Sequence, residues 1–424
     1  MKPDYLFGLA ALARSVLASD QQPLRAAQLH ETGPEPRLDQ VIASSPLLSF
    51  HRDIVEIASV TENEKTVGDF ILEFLAAQNL TVEKQIVTPE TKDQKERFNI
   101  YAYVGKNRYP DVLLTSHIDT VPPFIPYSLH SPQTDGSLFD RNDLVIAGRG
   151  TVDAKASVAA IIFAALETLR DNPDASIGLL FDVGEERDGV GMKHFSNSDL
   201  NLKPPTYRSI IFGEPTELNL VAGHKGSMKF TLVSRGKAAH SGYPWLGESA
   251  ISAILPVLSH LDSLPNILPQ DGGFPRSERL GQSTLNIGQI SGGVAANVVP
   301  AYAEATISVR IAEGSPEDIR EIIRKAVDSV SEGDQNIDLE FGHPQTGTGP
   351  QYFDVDVDGF DVITVNYGTD AASLHIHNQS SQKVQRYLYG PGSIHVAHAD
   401  NEAITVGELE EAVQGYKRLI SASL

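Results

Sequence analysis

Cysteine is absent from this chain of 424 residues. That single absence removes disulfides, thiolate zinc sites, iron–sulfur clusters and cysteine nucleophiles. Any metal must be held by His, Asp and Glu. Basic residues are also scarce: Lys and Arg number 34 against 55 Asp and Glu, leaving a formal charge of −21. A surface so acidic argues against nucleic acid or an anionic membrane as partner. Long apolar runs are missing too. The longest uncharged stretches, such as Ala156 to Leu166, are too short to span a bilayer. No Gly-x-Ser-x-Gly elbow marks a serine hydrolase, and no Gly-x-x-x-x-Gly-Lys-Ser/Thr marks a phosphate loop. What remains, with 41% hydrophobic and 21% charged residues, is an ordinary globular composition.

The N-terminus carries Lys2, an apolar stretch from Tyr5 to Ala13 and small residues up to Ala18. Although Arg14 interrupts it, this reads as a secretory signal over residues 1–18 and predicts a secreted protein, the alternative being a plain amphipathic N-terminal helix. Residues 19–37, with Gln21-Gln22-Pro23 and Gly33-Pro34-Glu35-Pro36, read as a polar linker or pro-segment. Two glycosylation sequons occur, at Asn79-Leu80-Thr81 and Asn378-Gln379-Ser380.

From about residue 38 the periodicity is α/β. Helical patterns cover 38–59, 64–78, 154–170 and 404–422. Strand-like runs fall at 81–87, 98–104, 111–116, 177–183 and 208–213. Between 219 and 334 the order becomes β-α-β-β-α, with strands 229–235, 284–290 and 302–311 and helices 247–263 and 315–330. The expected fold is α/β. A mixed-sheet α/β domain covered by helices (38–218 and 335–424) is interrupted by a smaller inserted α+β domain (219–334).

Polar residues collect where predicted strands end. Val112-Leu-Leu-Thr-Ser-His117-Ile-Asp119 puts His and Asp on one face, so Asp119 can orient His117 while the other ring nitrogen binds metal. Gly148-Arg-Gly-Thr-Val-Asp153 opens a long helix, Gly184-Glu185-Glu186 ends a strand, and Gly213-Glu214-Pro-Thr ends another. A late glycine-rich loop adds His395 and His398, followed by Glu402. Each has an ordinary reading alone: a surface polar pair, an Asp helix cap, a solvated acidic turn. Together they place His and carboxylates at the strand ends of an α/β sheet, where ligands gather. Such a set suits a hydrolytic metal site.

In that order these motifs resemble the two-zinc metallopeptidases that include glutamate carboxypeptidase, acetylornithine deacetylase, succinyl-diaminopimelate desuccinylase and aminoacylase. The resemblance spans roughly residues 40–424. It implies two Zn2+ held by His117, Asp153, Glu186, Glu214 and His398, with Asp153 bridging, Asp119 orienting His117 and Glu185 as general base. It also implies that the inserted domain is a lid or dimerisation domain of a homodimer. Within that domain Gly236-Lys-Ala-Ala-His240 resembles the family's oxyanion-stabilising histidine, supplied in some members by a partner subunit. Asn297 and Arg310 resemble its substrate contacts. Gly368-Thr-Asp370-Ala resembles a motif near the site and reads as architectural. The expected function is that of a secreted carboxypeptidase. Its rivals are an aminoacylase or N-acyl amino acid deacylase, whose substrates also pair an amide with a free carboxylate, and a non-catalytic metal- or peptide-binding relative.

Overall fold

The computed structural model describes residues 35–89, 91–92, 95–131, 140–342, 347–377 and 383–424. The expected signal, nearly all of the expected linker and the sequon at Asn378 lie outside them. Asn79, in the other sequon, is exposed with a φ of 62°.

Six strands form the main sheet, in the order Thr81–Thr88, Arg97–Tyr103, Ile177–Asp182, Val112–His117, Ser209–Gly213 and Gln385–Tyr389. The last four run parallel, and the first two join antiparallel. Ile177–Asp182, Val112–His117 and Ser209–Gly213 are buried along their whole length. That is why they read as continuous apolar runs rather than alternating ones.

Helices cover both faces. On one side Lys155–Asp171 packs against Val406–Ser423. Ala156, Ala159, Ala160, Ala164 and Ala165 are buried there, and their small size lets the helix lie close to the sheet. On the other face Phe195, Phe212, Phe353 and Leu388 form a second core. The final helix starts at a capping box, with the Thr405 hydroxyl accepting from the Glu408 amide and the Glu408 carboxylate accepting from the Thr405 amide.

The single helix expected over 38–59 is two, Glu35–Ala43 and Pro46–Glu56. Pro46 cannot donate within a helix but fits its first turn, and the Ser45 hydroxyl caps the new start by accepting from the Leu48 amide.

The inserted unit is a four-stranded antiparallel sheet ordered Thr284–Gly292, Tyr302–Ile311, Gly226–Arg235, Ile337–Glu340. Burial alternates along Tyr302–Ile311. Its buried side packs on helices Ala250–Ser263 and Pro316–Ser331 through Phe230, Ile254, Leu261, Ile307 and Ile323. Two short strands fall on either side of the expected boundaries. Ile337–Glu340, beyond 334, is an edge strand of this sheet. Leu220–His224, inside 219–334, instead pairs with Gln351–Tyr352 and Val362–Val365. Runs of four or five residues carry too little periodicity to assign from sequence.

Candidate metal centre

The parallel strands all deliver their carboxyl ends to one edge. His117 closes its strand beside Asp182. Its Nδ1 lies 3.0 Å from the Asp119 carbonyl oxygen and 3.5 Å from Asp119 Oδ1. Its Nε2 lies 3.1 Å from Asp153 Oδ1. The ring is thereby oriented through Nδ1, leaving Nε2 for a metal.

Asp119 does more than orient the histidine. Its Oδ1 accepts from the amides of Gly184 (2.9 Å) and Glu185 (3.2 Å), and its Oδ2 accepts from the Glu186 amide (3.4 Å) and the Thr61 hydroxyl (2.8 Å). One fully buried carboxylate thus fixes both the imidazole and the Gly-Glu-Glu turn. Burial opposes its charge, but His117 and these donors hold its carboxyl below the usual range. Glycine is required at 184: φ is +81°, and a Cβ would sit 2.6 Å from Arg97 Nη2.

Asp153 offers one oxygen to each histidine. Oδ1 faces His117, and Oδ2 lies 3.3 Å from His398 Nε2. Asp153 is therefore not the helix cap; the cap position belongs to Ala154, which has no side-chain capping bond. His398 Nε2 is also 2.9 Å from Glu186 Oε2. His398 is half exposed and has a φ of 64°. Asp153 and Glu186 raise its pKa to about 10. His395, three residues earlier, is exposed, with its amide on the Ser393 hydroxyl.

Ligand atoms of His117, Asp153 and Glu186 all lie within 4.8 Å of one another. Glu214, buried at the end of the neighbouring strand, completes the acidic set. Burial, with Glu185 and Asp153 adding to it against the pull of His117, pushes its carboxyl well above the ordinary range. Glu185 is raised in the same way by burial and by Asp370, Glu186 and Asp153, again against His117. Glu186 Oε1 is buried without a hydrogen-bond partner. Crowded carboxylates, one orphaned oxygen and two imidazoles, with no sulfur, form a donor set that fits divalent cations.

Glu402 and Asp370 both stand in the motifs, but the contacts they make were not legible there. Glu402 Oε1 accepts from the amides of Gly150 (2.9 Å), Val152 (3.0 Å) and Asp153 (3.1 Å), while Oε2 takes Arg149 Nη1 at 2.7 Å. Arg149 also donates to the carbonyls of Ala399 and His398. The spacing of Glu402 from His398 was the only sequence trace of this role. Asp370 stands against Asp182. Burial pushes Asp182 up to about 7, and burial with the Asp182 charge raises Asp370 well above its usual range.

The inserted domain carries His240, Asn297 and Arg310, all exposed. A bridge between His240 and Val298 sets His240 beside Asn297, whose carbonyl accepts from the Ser241 amide. Among the described residues neither side chain hydrogen-bonds to the metal group. Arg310 Nη1 lies 3.9 Å from the Cβ position of Gly368 and so reaches the catalytic body next to Asp370. Among the described residues it has no ion-pair partner.

Residues 222–335 match the family model described as a peptidase dimerisation domain. The chain is 68% identical over 424 residues, covering 100% of both chains, to a protein of Aspergillus oryzae named "Probable carboxypeptidase". It is 56% identical over 395 residues to a protein of the same name from Talaromyces marneffei, covering 91% of this chain and 88% of that one. Its fold resembles a tripeptidase from Staphylococcus aureus (TM-score 0.68, 21% identity, covering 89% and 97% of the two chains). It also resembles an M20 family metallo-carboxypeptidase from Sulfolobus solfataricus (TM-score 0.65, 17% identity, covering 89% and 99%). With its inserted dimerisation domain, its close carboxypeptidase-named relatives and this shared architecture, the chain belongs to the M20 family of metallopeptidases.

Proposed function

We propose that the protein is a secreted, zinc-dependent carboxypeptidase that hydrolyses the amide bond next to a free C-terminal carboxylate. The observation that carries this reading is the convergence of His117, Asp153, Glu186 and His398, with the buried Glu185 carboxyl within their electrostatic reach. The name of the close relatives supports the substrate class.

His117, Asp153, Glu186, Glu214 and His398 would hold two zinc ions, with one Asp153 oxygen toward each histidine. Bound ions supply Lewis-acid polarisation and lower the pKa of a water at the site. Glu185 takes the proton from the attacking water and returns it to the leaving amine nitrogen. Asp119 holds the Glu185 amide, so the base is aimed by the same residue that aims His117. Arg310, exposed and facing the catalytic body, binds the substrate's terminal carboxylate, and Asn297 contacts its polar groups. His240 stabilises the oxyanion.

Among the described residues His240 makes no hydrogen bond to the metal group of its own chain, and the matched dimerisation domain supports a homodimer that brings it from the partner. The inserted domain exposes Tyr243, Trp245, Leu246 and Val294, with Trp245 73% and Val294 87% accessible. An apolar patch of this kind marks an association surface. Secretion rests on the N-terminal sequence alone. N-terminal sequencing of protein recovered from culture medium tests it, and a mature start beyond residue 18 is expected.

The test of activity is hydrolysis of paired substrates by zinc-loaded protein: a peptide with a free C-terminus, the same peptide amidated, and N-acyl amino acids. The free peptide is cleaved, the amidated one is not, and a chelator stops the reaction. Cleavage confined to N-acyl amino acids would make the protein a deacylase. Equal cleavage of free and amidated peptides contradicts the proposed role of Arg310.

A further inference from the structure

A cavity of about 660 Å³ is lined by Arg279 of the inserted segment and by residues of the catalytic body, none of them a candidate metal ligand. Its charged lining is Arg279, Lys383 and Arg386 against one carboxylate, Asp354. A local excess of positive charge is unexpected in a chain whose formal charge is −21.

The single carboxylate is already engaged. Asp354 Oδ1 pairs with Lys383 Nζ, and its Oδ2 accepts the Arg386 backbone amide at 2.9 Å. The Arg386 guanidinium donates through Nη2 to Gln351 Oε1 (2.9 Å) and the Ala371 carbonyl (3.2 Å). Its Nε is buried and has no hydrogen-bond partner among the described residues. The rings of Phe353 and Phe212 flank it, with Cζ 5.2 Å and 6.0 Å from their centroids. Among the described residues no carboxylate ion-pairs with the Arg386 guanidinium. Arg279, from the Arg276–Gln282 hairpin, lies over Tyr352 at 5.5 Å and donates only to the Ala222 carbonyl among the described residues.

A largely buried guanidinium with no direct ion pair among the described residues, its nearest counter-charge Asp354 being shared with Lys383, is costly unless a further anion neutralises it. Ring faces attract the charge but cannot accept the in-plane N–H. A carboxylate or phosphate can do both, and a planar fork suits either. We propose that this cavity is a binding site for a small oxyanion, carboxylate or phosphate, held by Arg386 and Arg279 with Lys383 at the rim. Arg279 comes from the inserted segment and Arg386 from the main sheet, so the ligand bridges the two. It also lies one hydrogen bond from Ala371, in the turn that carries Asp370.

The test is calorimetric titration of inorganic phosphate, and separately succinate, into the full chain at constant ionic strength. Each titration is run on metal-free and zinc-loaded protein, because both anions also meet zinc. Saturable one-site binding that persists without metal is expected, and the tighter of the two anions identifies the ligand chemistry. Because Arg386 is packed among aromatic rings and its variants could unfold, the variant used is R279Q/K383Q, altering two exposed side chains. Losing a charged hydrogen-bond partner should weaken binding about tenfold or more, while circular dichroism and thermal unfolding stay as in the wild type. Absence of saturable binding by either anion to metal-free protein, or equal affinity in the variant, overturns the proposal. Neither outcome bears on the carboxypeptidase reading.

Discussion

Arg149 and Glu402 stand 253 positions apart in sequence and form an ion pair of 2.7 Å in which both side chains are 1% exposed. The pair ties together the two loops that carry Asp153 and His398. Glu402 grips the amides before Asp153, and Arg149 grips the carbonyl of His398. It sets how far apart those two side chains stand.

Removing one partner leaves a buried charge and three unsatisfied amides. E402A should therefore cost about 3–5 kcal/mol of stability and weaken metal binding roughly 10–100-fold. E402Q keeps an acceptor oxygen and should lose less of both. Chemical unfolding and competition with a chromophoric zinc chelator measure the two. Wild-type zinc affinity in E402A would show that the loops are positioned without it.

Glu185 is treated as the proton carrier and not as a ligand. E185A should lower turnover by about 100 to 10,000-fold while zinc content and thermal unfolding hardly change. H117A and D153A should instead lose metal. Metal analysis alongside steady-state kinetics separates the two classes. An E185A protein that fails to retain zinc would move Glu185 into the ligand set.

Metal uptake should release protons. In the ion-free chain His398 is raised to about 10 by Asp153 and Glu186, so it is protonated at neutral pH and must be neutral to bind metal. Zinc affinity should then rise with pH from about 6 toward 10. Calorimetry in two buffers of different ionisation enthalpy should show net proton release at pH 7. A pH-independent affinity contradicts this.

Asp182 gives a stability prediction of defined sign. Its folded pKa is raised from 3.8 to about 7 by burial, which outweighs the lowering effect of Asp370. The unfolded chain therefore loses this proton first. Stability associated with the group is full below about pH 4 and falls as pH rises through 7. D182N cannot ionise. Metal-free D182N should match the wild type near pH 4 and unfold at a higher temperature than the wild type at pH 8. Parallel melting curves across that range would remove the carboxyl pair from the account.

Much of the fold could be read from the sequence because its determinants are local. The buried strands announce themselves as apolar runs, and Thr405 with Glu408 carries its own helix start, whereas the start at Ser45-Pro46 was hidden inside a continuous helical pattern over 38–59. Four of the candidate ligands, His117, Asp153, Glu186 and Glu214, stand where a strand ends or a helix opens, while His398 lies in the late glycine-rich loop. Contacts between distant segments were not legible. Nothing near Glu402 states that it accepts three amides of the Gly150–Asp153 loop. Nor does anything near Asp119 announce that it holds the Glu185 turn. The strand Ile337–Glu340 was too short to join its sheet by pattern.

Anomalous diffraction at the zinc edge, from crystals of zinc-loaded protein, tests the central claim most directly. The account predicts two peaks in one pocket, each about 2.0–2.2 Å from an Asp153 oxygen, one shared with His117 and the other with His398 and Glu186. Peaks that leave Asp153 without a metal, or a single ion touching neither histidine, would contradict it.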